Sequence, residues 1–289
     1  LLFSCSYALM GFVFVYQQNI LWLDGIIFLP LVLWGVQRLM SRRRPLLFIL
    51  SLAACLITNY YIAYMICLFS ALYFLFRLAV IHPRSPRLRG RAVLISCGRL
   101  LGGYLAAAGL AAFALLPTAF SLMGGDKTLG LLSRLSLGVR FETGDLFSKL
   151  FTGSFENRDM WTSPLPVMFC GLLITLLLFL YFFNRRIRFR EKVAAGIWLA
   201  VMFCGFQVEA LYLIWHAFNF PIGFPSRQAF LFSFTMIYLA CRGFVRLRGG
   251  VKRRHLALAL ALFMLMAALV ARRQYGYLSL AGIGFDVLA

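Results

Sequence analysis

An all-α, polytopic transmembrane helical bundle is the fold class this sequence predicts, and three observations predict it. Of 289 residues, 62% are hydrophobic and only 13% are charged, against about a quarter charged in an average soluble domain. Such a chain lacks the polar residues to cover a water-facing surface. Apolar runs approaching the roughly 20 residues needed to cross a bilayer recur along its length. The basic residues are gathered in clusters between those runs.

The runs give about nine spans, forming one transmembrane domain over 1–289. The first, 1–16, opens at Leu1 without an initiator Met, so the natural start is expected upstream. The second, 20–38, follows the polar "QQN" and closes on Arg38. Spans 45–58 and 60–78 are separated only by Asn59, a residue suited to tight turns. A hairpin is expected there, because it leaves Arg44 and Arg77 on one side. Spans 93–117, 165–184, 193–208, 229–245 and 255–271 follow. A long loop, 118–163, separates the fifth and sixth. Within it Leu146, Phe147, Leu150 and Phe151 recur at helical spacing, which predicts a short interfacial helix over 144–152.

Charge sets the expected orientation. Four clusters, at 38–44, 77–99, 185–192 and 242–254, hold 21 of the 29 Lys and Arg and a single acid, Glu191. Nine spans put all four on one face, which the positive-inside rule makes cytoplasmic. Loop 118–163 then lies outside, with "GGDKT" (124–128) and five of the nine acids: Asp126, Glu142, Asp145, Glu156 and Asp159. The net charge of +20 is thereby assigned to orientation and anionic lipid. The lipid bilayer is the expected partner. Nucleic acid is not, because the clusters hold few of the interleaved aromatics that stack bases.

Seven scattered cysteines without a C-x-x-C pair support neither a disulfide framework nor a zinc site. Walker, G-x-S-x-G, H-E-x-x-H and dinucleotide motifs are absent, so no cofactor is evident.

The candidate site residues lie near the expected outer face. Asp24 follows Trp22 at the start of the second span. It reads either as a helix cap or as an acid facing a cavity. Trp22 reads as an interfacial anchor and is a candidate substrate-binding residue. Asn59, with Tyr60 and Tyr61, forms a turn or lines a carbohydrate site. His216 and Arg227 flank Pro221 and Pro225, which forbid a continuous helix. Non-helical backbone at membrane depth is tolerated only inside protein or beside a water-filled cavity. Arg227 is expected just before a helix N-terminus, where an anion is favoured, and a guanidinium can grip phosphate in a bidentate way. The alternative is that Arg227 reaches for lipid headgroups and His216 is an interfacial polar residue. His82 and His255 fall in basic loops.

Four stretches carry a resemblance: "SYALMGFVFVYQQNILWLDGIIFLPLVLWGVQRLM" (6–40), "LITNYYIAYMICLFSALYFLFRL" (56–78), "ALLPTAFSL" (114–122) and "LIWHAFNFPIGFPSRQAFLFSF" (213–234). Together they resemble the YfhO family of bacterial membrane proteins. The resemblance implies a GT-C-like glycosyltransferase in the bacterial cell membrane, with its active face extracytoplasmic. Such a protein moves a sugar from a polyprenyl-phosphate carrier to an envelope-polymer acceptor such as teichoic acid. It implies Arg227 for the phosphate, His216 for a hydrogen bond or proton, and Asp24 for a sugar or acceptor hydroxyl. The usual first-loop acid, a base or a ligand for a divalent metal, is expected upstream of this chain. A flippase or transporter for a lipid-linked sugar, or a non-catalytic scaffold, would use the same broken helices.

Overall fold

The computed structural model describes residues 1–41, 44–80, 86–123, 136–155, 159–221, 223–247 and 250–288. Arg42, Arg43, His82, the "GGDKT" stretch, Glu156 and Arg248, which figured in the charge pattern, lie outside the described residues. Those described form helices α1 (Leu2–Ala8), α2 (Gly11–Tyr16), α3 (Ile20–Met40), α4 (Leu46–Thr58), α5 (Tyr60–Val80), α6 (Pro86–Leu110), α7 (Ala112–Met123) and α8 (Asp145–Ser148). Then come α9 (Asp159–Thr162), α10 (Leu172–Phe183), α11 (Phe189–Gln207), α12 (Glu209–Trp215), α13 (Ala229–Val245), α14 (Arg253–Arg272) and α15 (Leu280–Leu288). Among the described residues four helices are long and apolar enough to cross a membrane: α3, α5, residues 90–110 of α6, and α14.

The chain divides into two compact units. The first comprises residues 1–16, 137–214 and 219–289; the second comprises 17–136 and 215–218.

In the second unit α4 packs against α3, α5 and α6. Phe48 is the pivot. It is fully buried, and its backbone lies so close to Gly35 that a Cβ there would sit 2.6 Å from the Phe48 Cα. Gly103 of α6 leaves the same kind of space for the Phe48 ring, 2.7 Å from where its Cβ would be. Two glycines thus let three helices approach around one aromatic. The Tyr104 ring meets Phe48 edge-on at 5.3 Å, and its hydroxyl pairs with Ser70 at 2.6 Å. Gln37 Nε2 donates to the Tyr73 hydroxyl, joining α3 to α5.

In the first unit α13 is central, packed by α10, α11, α1 and α2. Most of its residues are buried, from Ala229 to Ala240. A Cβ on Gly243 would lie 3.0 Å from that of Tyr181, so α10 and α13 meet closely there. Near the same end, buried Glu191 of α11 accepts from Arg242 of α13 and, at 2.8 Å, from Arg246 just past its end. On the far side of α10, α14 packs against α8 and α15.

Several expected spans are broken. Run 1–16 is two helices, α1 and α2. Run 93–117 is α6 and α7, interrupted at Ala111. Run 165–184 is helical only from Leu172. Pro164 and Pro166 lack the amide donors a helix needs, and Gly171 holds φ +108°, outside the helical region. The expected interfacial helix is a single turn, α8. Its neighbour Phe151 is fully buried against Phe263 of α14 at 5.7 Å, while Phe147 is exposed.

The glycine clamp yields a prediction. Gly35→Ala drives a methyl into the Phe48 backbone and should destabilise the protein by about 1–3 kcal/mol. Gly90→Ala, in open space on α6, should be neutral or stabilising by up to about 1 kcal/mol. Thermal unfolding in detergent, followed by tryptophan fluorescence, separates the two.

Candidate functional site

Two non-helical segments of the first unit, 163–171 and 223–228, support each other. Each carries carbonyls and amides that no helix satisfies, and each finds partners in the other or in a nearby helix. The Ser226 hydroxyl donates to the Pro164 carbonyl at 3.1 Å. The Ser233 hydroxyl of α13 donates to the Met168 carbonyl at 3.1 Å. The Gly11 amide donates to the Phe169 carbonyl at 2.7 Å. The Ser226 amide donates to the Tyr212 hydroxyl at 3.2 Å, and the Phe224 amide to the Met160 carbonyl at 2.7 Å.

This region is conformationally strained. Five described non-glycine residues have positive φ, and four of them fall between His216 and Arg227: Ala217 (52°), Phe218 (61°), Phe224 (49°) and Ser226 (56°). Left-handed backbone costs such residues on the order of 1–2 kcal/mol each. It persists where surroundings over-determine it, which is commonest at binding and catalytic sites. In the first unit the surroundings are tight. Phe224 packs on Trp161 at 4.5 Å. Gly223 has φ +68°, and a Cβ on it would lie 2.8 Å from the Trp161 ring.

Three cations belong to this part of the first unit. Arg227 is half-buried and turns back on its loop, donating from Nε to the Phe224 carbonyl at 3.1 Å and from Nη2 to the Gly223 carbonyl at 3.3 Å. The Arg140 guanidinium lies 3.4 Å over the Tyr212 ring and donates to the Phe206 carbonyl at 3.0 Å. Burial holds Arg140 below the usual guanidinium range. Burial likewise raises the Tyr212 phenol, with Arg140 and Arg227 pulling the other way. Lys149 is the third cation. It is 1% exposed, donates to the Ser154 carbonyl and sits 3.7 Å over the Tyr277 ring. It lines a cavity of about 280 Å³, walled by Phe14, Val15, Val167 and Phe169 and floored by Thr152 and Gly153. A buried cation facing an apolar cavity suits an anionic group on an apolar carrier.

Sequence reasoning missed Lys149 and Arg140. Lys149 stood inside the stripe read as an interfacial helix, and Arg140 was one more base in a mixed loop. Only the fold shows that Lys149 is buried and Arg140 half-buried.

The other expected residues lie in the second unit. Asp24 is half-buried in the second turn of α3. Its capping role is corrected: α3 begins at Ile20 with Asn19 at the cap position, because the helix extends through "ILWL" before reaching Asp24. Trp22 is half-buried in the first turn. Asn59 caps α5, its Oδ1 accepting from the amides of Tyr61 at 3.1 Å and Ile62 at 3.0 Å. Its Nδ2 donates to the Leu21 carbonyl at 3.2 Å, tying that turn to the start of α3. Tyr60 is 41% exposed beside it. His216 is fully buried, its ring 6.4 Å from that of Tyr61. Arg227 alone of the expected set belongs to the first unit. Among the described residues no three His, Cys, Asp or Glu side chains converge on a metal-sized site.

Comparison with known proteins now adds to the geometry. The family described as bacterial membrane protein YfhO matches residues 1–285. The chain belongs to the YfhO family. A similar curated protein is the "Uncharacterized protein YfhO" of Bacillus subtilis (strain 168), 24% identical over 246 residues. That alignment covers 84% of this chain and 25% of the relative, so the chain spans about a quarter of the relative's length. No solved structure matches. This YfhO-family chain is therefore a membrane protein in contact with the lipid bilayer.

The hydrogen bonds of the strained loop can be tested. Tyr212→Phe removes the acceptor of the buried Ser226 amide, at a cost of about 1–3 kcal/mol. Hydrogen exchange over 223–228 should accelerate in this variant, while exchange in α5 stays as in the wild type.

Proposed function

We propose that this chain supplies the donor-phosphate region of a membrane glycosyltransferase of GT-C type. The donor is a polyprenyl-phosphate sugar, and the acceptor is an extracytoplasmic envelope polymer such as teichoic acid. The observation that carries the reading is the strained backbone at 217–218 and 224–226, before α13. It is left-handed at four non-glycine residues, and it delivers Arg227 to the start of α13. A lipid-phosphate donor needs a cation where negative charge grows on the leaving phosphate. Arg227 has that role here, and Lys149, beside an apolar cavity, is a second counter-charge. His216 supplies a hydrogen bond or a proton. For Asp24, Asn59, Tyr60 and Trp22, in the second unit, the family resemblance is what supports a role toward sugar or acceptor hydroxyls. Family membership supports the reading through the resemblance noted above.

The matching topology has nine crossings, with the basic loops cytoplasmic. At about 1.5 Å per residue the 12 residues of α10 reach roughly 18 Å, short of a core about 30 Å thick. The extended segment 163–171, at about 3.3 Å per residue, makes up the difference. Single cysteines at Leu137, which is 84% exposed, and at Arg188 test the orientation in a background free of the seven native thiols. In intact cells an impermeant maleimide should label position 137 and not position 188. The reverse pattern overturns the topology and the outward-facing site with it.

The chemistry is tested in cells lacking their own YfhO-family protein and expressing the complete gene product. Arg227→Ala should lower sugar transfer about tenfold to hundredfold at equal protein abundance, the worth of one charge-assisted phosphate contact. Arg227→Lys should recover only part of it, because the bidentate grip is lost. His216→Ala should also lower transfer, while Arg91→Gln should leave it unchanged. Wild-type transfer by Arg227→Ala would move the phosphate site elsewhere.

A further inference from the structure

The first unit has a second pocket, at the opposite end of its helices from the strained loop. It lies where α10 ends and α14 begins, and its volume is about 210 Å³. Asn184, Arg185, Arg186, Arg246, Lys252 and His255 line it, and no carboxylate does. The local acid, Glu191, is 4% exposed and already shared between Arg242 and Arg246. Among the described residues Arg185, Arg186 and Lys252 have no carboxylate partner, although they face one small space. Like charges held together this way repel one another, and a bound anion relieves that repulsion.

The backbone adds to the effect. Lys252 is the N-cap of the 20-residue α14, and no side chain caps that end. The first amides of α14 therefore lack a capping acceptor and carry the positive end of the helix dipole. Gly250, with φ +89°, turns the chain so that Lys252 and His255 line the pocket together with Arg185 and Arg186. Asn184 fixes the opposite wall. Its Oδ1 accepts from the Arg186 amide at 2.9 Å and its Nδ2 donates to the Gly243 carbonyl at 3.4 Å.

Size and walls narrow the ligand. The pocket is smaller than a site for a drug-sized molecule, which runs from about 300 Å³ upward. It fits a compact anion or headgroup. Leu180, Leu247 and Val251 complete the lining, and Phe244 and Val245 are exposed close by in sequence. Cations grading into apolar surface match an amphiphile whose charged group is a phosphate.

We propose that this pocket binds a phosphate group, carried by an anionic phospholipid headgroup or by a free phosphate species. The site is independent of the proposed sugar transfer and lies at the other end of the unit. Bound there, the phosphate would tie α10, α13 and α14 together where Glu191 already joins α11 to α13.

The test uses the complete protein purified in a neutral detergent, with thermal unfolding followed by tryptophan fluorescence. Phosphatidylglycerol, phosphatidylcholine and inorganic phosphate are titrated separately. Phosphatidylglycerol should raise the melting temperature saturably, and phosphatidylcholine should not. In Arg185→Gln/Lys252→Gln the half-saturating concentration should rise about tenfold or more. In Arg188→Gln/Arg91→Gln, which removes the same charge outside the pocket, it should stay within about twofold of wild type. If inorganic phosphate saturates and phosphatidylglycerol does not, the site holds and its ligand is a free phosphate. Arg186→Gln alone gives the same reading if the first double variant does not fold. Equal weakening in both double variants, or no saturable response to either phosphate source, overturns the proposal.

Discussion

Backbone amides and carbonyls buried in an apolar protein must find partners within it, because a bilayer offers none. The first unit depends on how this constraint is met. Segment 163–171 is extended because its prolines cannot donate, and its carbonyls would be orphaned in hydrocarbon. Ser226, Ser233 and Gly11 answer three of them. Their own positions are then fixed: Ser226 on the strained loop, Ser233 in α13, Gly11 at the start of α2. Gly11 has little room for a side chain, since a Cβ would lie 3.2 Å from the carbonyl oxygen it faces. One non-helical segment thereby positions the loop that carries Arg227.

Charge is arranged differently at the two ends of this unit. Near the strained loop acids and bases interleave. Arg273 pairs with Glu142 and, at 3.0 Å, with Asp145, which also accepts from the Tyr275 hydroxyl at 2.6 Å. These side chains are largely exposed, so each pair contributes little to stability. They shape a surface. At the other end buried Glu191 is shared between Arg242 and Arg246, and among the described residues Arg185, Arg186 and Lys252 have no carboxylate partner. One end thus mixes acids and bases, and at the other cations outnumber a single buried acid.

Much of the fold was legible in the sequence. The runs behind α3, α5, α11, α13 and α14 gave boundaries close to those observed, because long apolar segments bounded by charge leave few alternatives. The break at Asn59 was legible too, and the side chain performs the capping its amide suggests. What failed was continuity. Hydropathy counts side chains and does not register a missing amide, so 165–184 read as one helix despite Pro164 and Pro166. The same holds for 1–16 and 93–117. For the site, the irregular link between His216 and Arg227 was legible from its prolines. The partners that hold it were not, since Tyr212, Pro164 and Trp161 are distant in sequence and unremarkable in type. Lys149 was hidden for the opposite reason: a lysine in an amphipathic stripe usually lies in water, and only tertiary packing against Tyr277 and Ser154 buries it.

The strained loop links folding to chemistry. Its conformation is not one the local sequence prefers, since Phe224 and Ser226 are not residues that favour left-handed backbone. It is imposed by bonds from α12 and from 163–171, and by the Met160 carbonyl and Trp161 ring of α9. Arg227 inherits its direction from that arrangement, because two of its donors are committed to the carbonyls of Gly223 and Phe224. The guanidinium is thus aimed by the loop, and the loop by segments remote in sequence. A cation on a flexible stem would lose conformational freedom on binding a phosphate. One braced in this way has lost much of that freedom during folding, so in the proposed reaction its binding energy is available for the charge that develops as the phosphate departs.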